Sequence, residues 1–175
     1  MKLDNKYFPI FMIVVAVLTV FAIVYSSFSY KTTQKERFVE AITESDSLLS
    51  RSLLLINKQD SVSINQYLGN DIVIVFWSSW SDKSELLLNE IYTLKDQTDS
   101  LEVIAALVLD ATDDIASTKF LEGFVHVDGA SLFNDLKVVG IPSYILLDKA
   151  GRFKYAHVGY QIGAGYEVLR TQLKK

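Results

Sequence analysis

Ile72-Val73-Ile74-Val75-Phe76-Trp77 is an unbroken apolar run, β-branched in its body and aromatic at its end. A run of that kind suits a strand buried on both faces. It empties into Ser78-Ser79-Trp80-Ser81, and from Asp82 to about Lys95 the apolar residues recur at helical spacing. A buried strand that feeds a helix through a short polar turn cannot stand alone. It needs neighbouring strands at its sides and helices over both of its faces.

The remaining chain supplies them. Residues 101–109 are apolar enough for a second strand buried on both faces. Thr112 is placed to cap a helix that follows, and 124–127 reads as a short strand, 131–136 as a short helix. Residues 144–147 and 153–159 form a hairpin across Asp148-Lys149-Ala150-Gly151. A final helix spans about 164–173. Upstream, 53–56 reads as an edge strand and 57–60 as a turn, and Gly69 can take the left-handed conformation that ends a turn ahead of the central strand. The expected fold is α/β, a central mixed sheet flanked by helices.

The N-terminus has a different character. Residues 8–28 carry no charge and form a helix of roughly 31 Å, the thickness of a bilayer core. Pro9 sits in its first turn, where a missing N–H is harmless. Tyr7, Tyr25 and Tyr30 fall at its ends, where amphipathic rings favour the headgroup layer. Ser27 and Ser29 have the spacing of a signal-peptide cleavage site, but the apolar run exceeds the roughly 7 to 15 residues of a signal core. The expectation is an uncleaved transmembrane helix. Lys2 and Lys6 before it nearly balance Lys31, Lys35 and Arg37 after it. A lone N-terminal span ahead of a globular domain acts as a signal anchor, which sets the N-terminus inside and the domain outside. The expected divisions are 1–30, tip and transmembrane helix; 31–56, a juxtamembrane helix or stalk and edge strand; and 57–175, the globular domain. Phe38 and Ile42 share one face of the stalk helix.

Composition excludes several chemistries. The net charge of −4, with both signs dispersed, argues against a nucleic-acid partner. The chain contains no cysteine, so it has no disulfide, thiolate ligand or thiol nucleophile. Its two histidines, His126 and His157, lie at no spacing that pairs them with Ser81 as base and nucleophile, and they read as partly exposed. No metal-ligand spacing is recognisable; Asp110, Asp113 and Asp114 suit helix capping. Gly159, Gly163 and Gly165 read as turn and helix-start glycines. No cofactor is expected. Ser81 is placed to cap the helix from Asp82, with Glu85 near the capping-box position. Trp77 is expected in the core and Trp80 at the rim.

Two segments together resemble a known family. Phe76-Trp77-Ser78-Ser79-Trp80-Ser81-Asp82-Lys83-Ser84 is similar to the F-W-x-x-W-C-x-x-C segment of thioredoxin-like proteins, above all the membrane-anchored TlpA/ResA thiol-disulfide oxidoreductases. Val138-Val139-Gly140-Ile141-Pro142-Ser143 resembles that family's V-x-G-x-P-T loop, and Asp148 to Arg152 its D-x-x-G-x turn. The likeness covers about residue 61 to the C-terminus. It implies a thioredoxin-like fold, a cis Pro142 beside the Ser81 helix start, and a domain outside the cytoplasm. Ser81 and Ser84 stand where the family has its two cysteines. Disulfide exchange needs an attacking thiolate and a departing sulfur, and serine supplies neither. The resemblance therefore implies a scaffold without its redox chemistry. It would hold or chaperone an extracytoplasmic protein or peptide in a groove formed by Trp80, Ser81, Ile141 and Pro142. Two alternatives stand beside it: a thiol-disulfide oxidoreductase, if the serines replace natural cysteines, and a structural subunit of a membrane complex. The partner and the oligomeric state are left open.

Overall fold

The computed structural model describes residues 7–45, 48–56, 60–108 and 122–175. The helix expected from Thr112 and part of the turn at 57–60 lie outside the described residues. The chain divides into two units, Met1–Arg37 and Phe38–Lys175.

Helix α1, Phe8–Thr43, is one continuous helix. The residues expected as membrane helix and those expected as juxtamembrane helix both fall within it. The physical reason lies in the sequence: neither proline nor glycine occurs between residues 10 and 43 to break it. It is long and apolar enough to cross a membrane, and within the first unit its apolar side chains are exposed. The Thr19 hydroxyl donates to the Val15 carbonyl at 2.8 Å, so the hydroxyl is satisfied inside the apolar stretch. The last turns of α1 belong to the second unit, where Phe38 and Ile42 are buried core residues.

The second unit is built on five strands: β3 (Asp71–Trp77), β4 (Leu101–Leu107), β5 (Val125–Asp128), β6 (Ser143–Leu147) and β7 (Phe153–Val158). Their spatial order is β5-β4-β3-β6-β7. β3 pairs in parallel with β4 and β4 with β5, whereas β6 is antiparallel to β3 and β7 to β6. β3 is central, and its alternation divides the core. Ile72, Ile74 and Phe76 enter one apolar cluster with Phe38, Ile42 and Leu132. Val73, Val75 and Trp77 enter the other with Leu87, Ile91 and Leu169. Helix α2 (Asp82–Asp96) and helix α4 (Leu169–Leu173) therefore serve one face. Helix α3 (Ala130–Asp135) and the end of α1 serve the other.

Residues expected as an edge strand form a small hairpin instead. β1 (Ser52–Leu54) pairs with β2 (Ser61–Ser63) in a separate two-stranded sheet. Leu55 and Ile56 then reach the edge of the main sheet: Leu55 bridges Val127 and the Ile56 amide donates to the His126 carbonyl at 3.1 Å. The β5 edge is thereby covered by the chain itself. A 3₁₀ turn, Ile64–Tyr67, leads to Gly69 at φ +98°, the left-handed turn expected of that glycine. The expected C-terminal helix begins as a π-helical turn, Ala164–Val168, before it becomes α4.

Candidate binding site

β3 delivers the site. Trp77, at its last position, is buried, while Trp80 in the following turn is 65% exposed. The turn is held by serines. Ser81 is the N-cap of α2, and its hydroxyl accepts the Ser84 amide at 3.3 Å. The Ser84 hydroxyl is fully buried and accepts the Ser78 amide at 3.3 Å. The Ser78 hydroxyl in turn donates to the Val108 carbonyl, just past the end of the neighbouring strand β4. Both serines of the family-like motif thus satisfy backbone N–H groups that the turn would otherwise leave without a partner. The capping-box position is Ser84 itself, three residues after the cap, so Glu85 stands one place beyond it.

The second segment meets this turn from β6. The Ile141–Pro142 bond is cis. Register pairs Ser143 with Phe76, which sets Pro142 beside the end of β3 and the approach to Ser81. Pro142 is buried and its carbonyl accepts the Gly159 amide at 2.8 Å. Ser143 donates to the Gly140 carbonyl at 2.5 Å, which closes the loop on itself. Ile141 is half-buried against the core. Its backbone N–H and C=O make no hydrogen bond among the described residues. Of the four expected binding residues, Trp80 is the most open to solvent, Ser81 and Ile141 are half-buried, and Pro142 is a buried support.

The histidines are half-buried, as expected, and each lies against aromatic rings. Register puts His126 next to Ala105 and His157 next to Tyr144, each two strands from β3 and on opposite sides of it. His126 packs edge-on to Trp77, ring centroids 6.2 Å apart. His157 stacks on Tyr144 at 5.4 Å. Both rings act as aromatic packing groups on the α2 face of the sheet. Among the described residues no group of three or more His, Asp or Glu is arranged to hold a metal ion.

The sequence reading passed over a further group at this end. Glu90, on α2, accepts hydrogen bonds from the Tyr160 hydroxyl at 2.8 Å, the Gly163 amide at 3.0 Å and the Gly165 amide at 2.7 Å. The hydrogen bond to this carboxylate holds the Tyr160 proton and raises the phenol above its ordinary range. The available signal was weak: Glu90 flanks the buried stripe of Leu87, Ile91 and Leu94, where a carboxylate needs partners.

No protein-family model and no curated protein sequence matches this chain. Solved structures do. A thioredoxin-like protein from Aeropyrum pernix is 19% identical, with a TM-score of 0.57, over 87% of this chain and 98% of its own. A secreted Mycobacterium tuberculosis disulfide oxidoreductase homologous to E. coli DsbE is 11% identical, with a TM-score of 0.60, over 74% and 98%. The fold is thioredoxin-like. Peroxiredoxin Q of Xanthomonas campestris aligns too, 15% identical with a TM-score of 0.58, over 72% of this chain and 92% of its own. At such identities the likeness speaks for the fold alone. Within the thioredoxin-like frame of this chain, the turn at the start of α2 is made with oxygen and no sulfur.

Proposed function

We propose that this chain is a membrane-anchored, extracytoplasmic protein of the TlpA/ResA type that binds extended polypeptide and carries out no disulfide exchange. One observation carries the reading. Both serine hydroxyls at the α2 start are committed to backbone hydrogen bonds, while Trp80 is exposed and the Ile141 backbone keeps its hydrogen-bonding capacity. An extended segment lying along Ile141 would gain main-chain hydrogen bonds in the manner of an added strand, with Trp80 as an apolar wall. Pro142 and Ser81 support this surface from beneath and from the side. The exposed apolar part of α1 supports the anchor; the placement of the globular unit outside the cytoplasm is part of the proposal and rests on the resemblance.

Photo-crosslinking in native membranes tests the proposal. A crosslinker at Trp80 or Ile141 is expected to capture a polypeptide partner, and one at exposed Lys149, in the β6–β7 turn, is not. Equal capture from all three positions would overturn the binding site. The unaltered chain is expected to be silent in an insulin-reduction assay, and measurable turnover would overturn the loss of redox chemistry.

A further inference from the structure

The Glu90 carboxylate does more than satisfy one neighbour. Oε1 takes the Tyr160 hydroxyl and the Gly163 amide, and Oε2 takes the Gly165 amide. Bonds from neutral donors to a carboxylate are the stronger kind. The next residue in this run is held as well: the Tyr144 hydroxyl donates to the Ala164 carbonyl at 3.0 Å. Gly163 has φ +83°, and a Cβ on Gly165 would lie 2.8 Å from both the Glu90 Cβ and the Leu87 carbonyl. The loop after β7 is therefore clamped to α2. Between its fixed points Ile162 is 94% exposed. A single exposed isoleucine is ordinary on a protein surface. This one sits on a loop fixed on both sides of it, and its position matters. β3 and β7 run in the same direction, each antiparallel to β6. Trp80 and Ile162 thus follow strand ends at the same edge of the fold. The Ile141–Pro142 loop enters β6 between them, tied to Gly159.

We infer that Glu90 is a positioning residue for the polypeptide-binding surface: it sets the 159–165 loop so that Ile162 forms the flank of that surface beyond Pro142. This rests on the binding function proposed above and adds to it a second apolar contact and the group that places it. A bound segment would then prefer apolar side chains at both flanks, one toward Trp80 and one toward Ile162.

The test uses the full chain in detergent micelles and two readouts. The first is amide hydrogen exchange without any ligand. Glu90→Gln turns one acceptor oxygen into an NH₂ group, so exchange at Gly163 or Gly165 is expected to rise at least about tenfold. Unchanged exchange at both amides would overturn the clamp. The second readout is fluorescence anisotropy with labelled, S-carboxymethylated insulin B chain as the probe. Glu90→Gln and Ile162→Ser are each expected to weaken binding about tenfold, the loss of one seated apolar contact. The double variant is expected to bind no more weakly than Ile162→Ser alone. Additive losses would overturn the inference, because Glu90 would then act by another route. Should Glu90→Gln fail to fold, Tyr160→Phe removes one of the three donors and is expected to raise exchange at Gly163. A wild-type chain that does not bind the probe would overturn the binding function and this inference with it; the exchange result distinguishes that failure from failure of the clamp.

Discussion

Ser84 is a fully buried polar residue whose hydroxyl accepts the Ser78 amide. Ser84→Ala leaves that amide without its partner and is expected to cost about 1–3 kcal/mol. Ser81→Ala removes the α2 cap and is expected to cost about 0.5–2 kcal/mol. Urea denaturation checks both, as lowered midpoints at unchanged slope. The cap was legible in the sequence because a serine directly before a helical apolar pattern is a local signal. The Ser84 bond was not, because it depends on how the turn folds back. Tyr144 gives a pH prediction. Burial raises its phenol well above the ordinary value of 10.0, with the nearby Tyr155 and Glu90 adding to the effect. The folded state then keeps a proton that the unfolded chain releases above that value, so the contribution is intact below about pH 10 and falls as pH rises further. Tyr144→Phe is expected to flatten the alkaline loss of stability in a pH series of melts. It also gives up the bond to the Ala164 carbonyl, about 1 kcal/mol at neutral pH.

At the scale of elements, α1 does two jobs along one uninterrupted helix. Its apolar stretch is exposed within the first unit, and Phe38 and Ile42 are core residues of the second. Phe38→Ala is expected to destabilise the globular unit by about 3–5 kcal/mol, as a lowered midpoint in chemical denaturation. A residue in a detached stalk would show almost no effect. The Phe38/Ile42 pair was visible in the sequence as one helical face; what it packs against was not. β3 and α2 were legible for the opposite reason. Their signals, a doubly buried apolar run and a helical stripe behind a cap, are local. The π-helical turn at 164–168 had no such signal. Gly165 sits there against Leu87 and Glu90 on α2, a contact between residues far apart in the chain.

At the scale of the whole molecule, the core limits where the chain can be cut. Phe38, Ile42, Leu48 and Leu53 all belong to the cluster under one face of the sheet. A chain starting at residue 38 is expected to fold with a cooperative melt. A chain starting at residue 57 loses these four side chains and is expected to lack one, because each buried apolar side chain of that size contributes about 1.5–3 kcal/mol. Thermal melts followed by circular dichroism check both truncations. A cooperative melt of the shorter chain would mean that the segment ahead of residue 57 adds little to the core.

The sequence alone determined the central βα unit, the hairpin, the apolar N-terminal helix and the lack of a thiol. Each of these is written in neighbouring residues or in composition. Tertiary structure decided that the Ser84 hydroxyl accepts the Ser78 amide, that the histidines pack on aromatic rings, and that Glu90 holds a loop some seventy residues away. Those outcomes depend on which groups folding removes from water and which partners it then brings within reach. No local pattern encodes that choice.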